Sequence, residues 1–560
     1  MKKSSKNVIK TLLIIVAVII IGLGFYLALP PISIYSGAFW KFLLFCDIVV
    51  FVVYAILKLL DGERLAENGI HITMKDGKIV KESGVNFKKF RFIKWQLILT
   101  GAVILLIIIG SIVGAPIFRA RTYSSLITVE EQPFEEGITP TEHVSDIALM
   151  DTDSARIIGA RTLGTLSDLV SQYNVSSDYT QIAMQNSSGE SRPYKVAPLE
   201  YAAFFKWLKN RGQGIPGYVK VDPVGFDAEF VRLKDTFIRF SPSGYFGDNL
   251  YRALRFRFPT AIFGKISFEV DDSGHPFWVA SAMKPHAGLF DAMDVEYVVT
   301  LDACTGETAK YKPEESPEWI DNVYYGDLIC QKYDWYGMLG GGYLNSHFGQ
   351  TNCVVTTEDF GYKIIGNDVY VFTGVTSTSN DEANIGFILT NARTGDYRFF
   401  RVAGAEEYSA MSAAEGSVQQ YGYRASFPSL INVDGEATYI MVLKDASGIV
   451  KMYSMVNVRN YNTVVTSNTQ DDTFRKYRSA IGIEEGTQMP DNEITETVTV
   501  SDIEYIVQNG ETVAYLKTEG GIFRVPFDEG LLFIEDGDRV TVAYGEKSDR
   551  VTDAVIVYEN

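Results

Sequence analysis

Chemistry by side chains needs nucleophiles, bases or ligands at defined spacing, and this chain offers few such patterns. Its five histidines, His71, His143, His275, His286 and His347, are scattered. No H-E-x-x-H occurs, so the helix-borne zinc site of metalloproteases is missing. Cys330, His347 and Cys353 supply soft ligand atoms, but their spacing matches no structural zinc pattern. The run Gly340-Gly341-Gly342 lacks the Lys-Ser/Thr that completes a phosphate loop. Neither a G-x-S-x-G elbow nor the motif set of penicillin-recognising serine enzymes is present. Carboxylates are too numerous for any glycosidase-type pair to stand out. The sequence therefore assigns no catalytic residue, and neither a cofactor nor a metal is expected.

Three other groups of residues are singled out by their surroundings. Asp47 lies well inside a long apolar run, where a carboxylate is costly. It reads either as functional or as hydrogen-bonded to a neighbouring helix, and the two readings are equally compatible with the sequence. Gly110-x-x-x-Gly114 has the spacing that lets helices approach closely in a membrane. Trp319, Tyr333, Trp335 and Tyr336 crowd the segment before the triple glycine. They suit helical pieces packed across a sheet, or alternatively an aromatic binding surface.

The elements that position these residues begin with three apolar runs, at about 12–29, 39–60 and 96–118. Each approximates the ~20 residues that cross a ~30 Å hydrocarbon layer. A cleaved signal peptide is a poor reading of the first, because Tyr26-Leu27-Ala28-Leu29-Pro30 is not a small-residue cleavage site. Lys2, Lys3, Lys6 and Lys10 precede the first run without an acid, and the 61–94 loop holds eight bases against five acids. Basic flanks stay in the cytoplasm. The expected topology thus has a cytoplasmic N-terminus, a cytoplasmic 61–94 loop and an extracellular C-terminal part. The first 95 residues carry 14 bases and 6 acids, a net of +8, so in a chain of net charge −18 the rest carries −26. So acidic a remainder disfavours nucleic acid as a partner. Cys304, Cys330 and Cys353 all fall in it. One disulfide plus a free thiol, or three buried thiols, both fit the count.

Residues 119–150, with Glu130, Glu131, Glu135 and Glu136 around Pro133, read as a stalk. Asp151–Tyr173 and Leu199–Asn210 read as helices from their apolar spacing. From Gly217 the pattern becomes strands bounded by Gly, Asp and Asn turns. Two echoes suggest diverged repeats. Phe258-Pro259, Val270-Asp271 and Gly274 parallel Phe427-Pro428, Val433-Asp434 and Gly435. Leu301-Asp302-Ala303-Cys304-Thr305-Gly306-Glu307 parallels Leu389-Thr390-Asn391-Ala392-Arg393-Thr394-Gly395-Asp396, and Lys444-Asp445-Ala446-Ser447-Gly448 is a weaker third turn. Residues 466–492 read as a linker. Residues 493–560, with candidate strands that include Leu531–Ile534, read as a small OB- or SH3-like β-barrel.

The Asp302–Glu307 hairpin resembles the strand, D-x-x-T-G-E, strand ending of PepSY-like domains, although Asn391 replaces the aspartate in the second copy. In that family such domains act as inhibitory or binding modules around peptidases and the cell envelope. Pro198-Leu199-Glu200-Tyr201, Gly214-Ile215-Pro216-Gly217-Tyr218-Val219 and Phe268-Glu269-Val270-Asp271 resemble segments of multi-span surface proteins of Gram-positive bacteria. The expected fold class is α+β: three transmembrane helices within 1–118, a stalk at 119–150, a β-rich repeat domain at 151–465, a linker at 466–492 and a terminal barrel at 493–560. The expected function is that of a membrane-anchored cell-surface protein. Its non-catalytic acidic domain would bind a protein or peptide, or support an envelope assembly. The alternative is a surface hydrolase or peptidase regulator whose site follows no recognised motif.

Overall fold

The computed structural model describes residues 3–60, 71–75, 78–82, 91–145, 147–185, 191–357, 359–378, 380–483, 494–508, 511–527, 529–544 and 550–557. The chain forms two compact bodies, Met1–Phe474 and Arg475–Asn560.

The larger body opens with helices Lys3–Ala28, Gly37–Leu60 and Arg91–Gly114. They contain stretches of 22, 22 and 23 residues long and apolar enough to cross a membrane. Leu29-Pro30-Pro31 stops the first. The third stops at Gly114, four residues before the expected 118. Pro116, which has no N–H to give the preceding turn, starts a new helix, Pro116–Ser124. Of the 61–94 loop, His71–Lys75 and Lys78–Glu82 pair as a hairpin. Most of its other residues lie outside those described.

Beyond this, the described elements can be grouped into four successive modules, each with a helix and four antiparallel strands, though strands Tyr173–Val175, Val354–Thr356 and Arg424–Ala425 and helix Phe204–Asn210 interrupt the order. The first module has helix Thr152–Gly164 and strands Thr180–Gln185, Ser191–Tyr201, Gly217–Asp222 and Asp227–Arg232. The second has Leu250–Arg257, then Ile262–Val270, Pro276–Ala287, Asp291–Asp302 and Thr308–Tyr311. The third has Gly326–Leu339, then Gly361–Ile365, Asp368–Ser377, Asn380–Asn391 and Tyr397–Phe400. The fourth has Glu407–Ser417, then Ser429–Val433, Glu436–Lys444, Val450–Asn457 and Val464–Ser467. Within each module the first strand pairs only with the second.

An aspartate or asparagine side chain closes the third strand each time. Asp302 Oδ1 accepts from the Cys304 and Thr305 amides at 2.8 and 3.0 Å. Asn391 Oδ1 accepts from those of Arg393 and Thr394 at 2.8 and 3.0 Å. Asp222 Oδ1 caps Val224 and Gly225, and Asn457 Oδ1 caps Asn460. The turn needs only an oxygen at that point, which Asn supplies as well as Asp. Gly306 and Gly395 then each adopt a φ of +78°, where glycine carries no steric cost. The weaker Asp445–Gly448 echo sits elsewhere, between second and third strands.

The central strands are buried on both faces. The first two modules share one core, which includes Ile182, Val219, Phe268, Trp278 and Leu301. The third and fourth share another, around Phe372, Phe387, Leu430 and Tyr439.

Several expected elements differ. The 119–150 segment is no stalk: Val129–Gln132 adds a parallel strand to Tyr397–Phe400, and Phe134 and Ile138 enter the core. Glu131 faces Arg401 at 2.9 Å, so the acidic run that suggested a solvated spacer belongs to a sheet edge. The first expected helix stops at Gly164. In Leu199–Asn210, residues 199–201 end a strand and the helix starts at Phe204; hydrogen bonding along Ser191–Tyr201 outweighs the apolar spacing. In the expected linker, Gln470–Ala480 is helical.

The smaller body is built on one long strand, Ile494–Gln508. Its first half pairs with Arg539–Tyr544 and its second half with Glu511–Thr518, with a register shift between Val500 and Asp502. Gly521–Pro526 follows. The last segment pairs both ways, Thr552–Asp553 with Phe523–Arg524 and Val555–Val557 with Thr541–Ala543. Val500, Leu516, Phe523, Leu531 and Val542 fill the core. Leu531 belongs to the 3₁₀ turn Glu529–Phe533, not to the strand expected at Leu531–Ile534.

Candidate functional site

A cavity of about 760 Å³ lies in the larger body, lined by residues from all four modules. First strands contribute at each: Thr180 and Gln181, Lys265 to Phe268, Gly361 and Tyr362, and Ser429 with the preceding Phe427-Pro428. Aromatic walls come from Tyr179, Phe268, Phe360, Tyr362, Tyr408 and Phe427. Ligand pockets are commonly lined by apolar and aromatic side chains with a few placed polar groups.

The charged wall is built at the start of the first module. Asp151 caps helix Thr152–Gly164, accepting from the Ser154 amide at 2.9 Å, and pairs with Lys444. Burial pushes the Asp151 carboxyl up, but Lys444 and Ser154 outweigh it and hold it below the ordinary range. Lys195, on the second strand, is 6% exposed and donates to Thr152 Oγ1 at 3.3 Å. Burial, helped by Arg156 and opposed by Asp151, lowers its pKa to about 8. It remains mostly protonated at neutral pH, a cation inside the molecule. Beside it, Gln181 is 5% exposed and its Nε2 has no partner. A smaller recess bounded by Gln181, Ser267, Asn322 and Tyr325 adjoins it. Tyr179 lines the cavity while its hydroxyl lies beside Gly159, where a Cβ would clash with it; burial raises that hydroxyl's pKa to about 12.

Near the recess lie two buried acids, Glu269 and Asp321, 0% and 1% exposed. Ser267 Oγ donates to Glu269 Oε1 at 2.7 Å, and the Asp321 amide to Glu269 Oε2 at 2.8 Å. Asp321 Oδ2 accepts from the Ala183 amide at 2.8 Å. Burial raises both pKa values, and the charge of Glu269 pushes Asp321 further. Close, buried carboxyls resist being ionised together. Withdrawn from the cavity surface, they tie the first strand of the first module to that of the second.

The residues singled out from sequence are placed as follows. Asp47 receives a hydrogen bond from Thr100, and its carbonyl accepts from Gln96 Nε2 at 2.8 Å, so its contacts reach the third apolar helix. Gly110 and Gly114 touch a β-hairpin instead of another helix: a Cβ on Gly110 would fall 2.8 Å from Leu289 Cδ1, and one on Gly114 2.9 Å from the Ala287 carbonyl. The four aromatics form no common surface. Trp319 lies tilted against Phe277 at 4.7 Å, Tyr333 and Tyr336 belong to the core beneath helix Gly326–Leu339, and Trp335 meets Tyr123 edge-on. Each packs on its nearest apolar neighbours, as bulky side chains beside a helix do.

Cys46, Cys304, Cys330 and Cys353 are free thiols. Cys330 and Cys353 do not join His347; among the described residues the fold gathers His275, Asp302 and Cys304 instead, with ligand atoms within 4.8 Å. Those three are already satisfied: His275 Nε2 lies 3.1 Å from Asp302 Oδ2, and burial raises the Cys304 thiol to about 11, where it stays protonated.

Lys195, Gln181, Glu269 and Asp321 escape sequence reasoning. The only signal is a charged residue on a strand face shared with Pro193 and Ala197. Compared with known proteins, the chain matches no family model, and no curated protein is similar to it in sequence.

Proposed function

We propose that this protein is a three-span, cell-surface membrane protein whose β-rich region binds an extended peptide, or a segment of a protein partner, in the cavity between its modules. The observation that carries this is the cavity itself: aromatic walls, a buried protonated Lys195 and an unpartnered Gln181 amide at one place. A peptide satisfies all three, with apolar side chains on the rings, a carboxylate or carbonyl on Lys195, and a carbonyl on Gln181. The reading is non-catalytic, because the buried acids Glu269 and Asp321 are withdrawn from the cavity surface. The basic flanks of the first two apolar helices support a cytoplasmic N-terminus and an extracellular β-rich region.

On the same reading the four modules are diverged copies of a PepSY-like unit, supported by their shared element order and Asx-capped third strands. The smaller body is a small barrel of OB or SH3 type. Its pairings support this, since the last segment meets strands at both ends of the sheet.

Photo-crosslinking in the native membrane tests the reading. A benzophenone amino acid at Phe427, inside the cavity, should yield a defined adduct that Lys195→Met diminishes. One at Tyr461, half exposed elsewhere, should not. Capture should weaken as pH rises past about 8, where Lys195 loses its proton. Equal adducts at Phe427 and Tyr461, unaffected by Lys195→Met, would rule the cavity out.

A further inference from the structure

The β-rich region meets the apolar helices at two points. At the third helix, the hairpin tip Ala287–Asp291 lies against Gly110 and Gly114. Gly288, with φ +60°, has no room for a Cβ, which would fall 2.6 Å from Gly114 Cα. Gly110 is four residues inside the end of that helix, a depth of about 6 Å along its axis. With that helix across a bilayer, the Leu289-Phe290 tip would lie near the boundary between hydrocarbon and headgroups. At the first helix, Arg255 Nε donates to the Leu29 carbonyl at 2.9 Å, and the Ile32 amide to that of Pro259 at 2.7 Å. Phe256 meets Phe25 at 6.4 Å, and Arg252 lies 4.3 Å over the Tyr26 ring.

The segments at these junctions share a composition. Residues 116–129 contain Arg119 and Arg121, residues 249–263 contain Arg252, Arg255 and Arg257, and neither stretch has an acid. Apolar side chains beside the arginines are exposed: Phe118 at 64% and Phe256 at 58%. In a region carrying −26, acid-free arginine and aromatic stretches at both helix exits have the chemistry of a membrane interface, rings among the upper acyl chains and the exposed guanidinium groups of Arg119, Arg121 and Arg257 at phosphates, Arg255 being buried against the Leu29 carbonyl.

We propose that these two segments form a phospholipid-binding surface, seated in the leaflet at that end of the helices and selective for anionic headgroups. The occupant follows from continuity: each segment adjoins the exit of a helix long enough to span the bilayer, so lipid is what borders it. The proposal rests on those helices being membrane spans.

The test places a benzophenone amino acid singly at Phe118 and Phe256 in the full chain. Nanodiscs hold mixed zwitterionic and anionic phospholipid, and intact mass reads the adducts. Leu105, exposed in the middle of the third helix, is the positive control, and Phe533, in the smaller body, the negative one. Phe118 and Phe256 should form lipid adducts enriched several-fold in the anionic species, and Arg119→Gln with Arg121→Gln should erase the enrichment at Phe118. Adducts at Leu105 but not at Phe118 and Phe256, or adducts without headgroup preference, would overturn the proposal. No adduct at Leu105 would instead overturn the spanning helices on which it rests.

Discussion

Replacing Glu407 with glutamine should remove a defined share of this protein's pH dependence. Glu407 begins the helix of the fourth module and is 0% exposed. Its Oε1 accepts from the Gly374 amide at 2.6 Å, while Oε2 has no partner. Burial raises its pKa from 4.5 to about 7. The folded protein therefore holds a proton that the unfolded chain releases, and stability falls as pH rises from about 4.5 to about 7, then levels. A displacement of that size amounts to roughly 2.5 kcal/mol lost between pH 5 and pH 8. Glu407→Gln keeps the acceptor for Gly374 and titrates nothing. Urea unfolding of full-length protein in nanodiscs, followed by proteolysis of the larger body at pH 5 and pH 8, measures the difference. The variant should gain about 2.5 kcal/mol on the wild type between those pH values. An identical pH dependence in both would refute the reasoning.

Three further outcomes are expected. Gly288→Ala should loosen the hairpin from the third helix, both by its left-handed φ and by contact with Gly114, and amide exchange at 287–291 should rise at least tenfold. Asp47→Leu should weaken association of the second and third helices by about 1 kcal/mol in a steric-trapping assay, whereas Asp47→Asn, which keeps an acceptor for Thr100, should cost less. Residues 493–560 expressed alone should unfold cooperatively as a soluble β protein, because the core around Phe523 and Val542 lies within them; collapsed amide dispersion by NMR would contradict this.

What the sequence discloses depends on how local the cause is. Spans and turns are local: about twenty apolar residues, or an Asx three places before a threonine–glycine, determine their own conformation. The Val129–Gln132 strand is not local, since its partner, Tyr397–Phe400, lies some 270 residues away in sequence, and its glutamates look like a solvated run until Arg401 is placed opposite. Gly110 and Gly114 announce a close approach correctly, but nothing in their spacing says that the approaching backbone is a hairpin. The cavity is the least legible feature. Lys195, Tyr362 and Phe427 come from three modules, and each looks alone like an ordinary strand or turn residue.

A density map of the full-length protein extracted from its own membrane tests the central claim most directly. Binding within the modules predicts extended density against Tyr362 and Phe427, with an acceptor at Lys195, and its loss in Lys195→Met. A cavity holding only solvent, with partner density on the outer faces of the sheets, would contradict it.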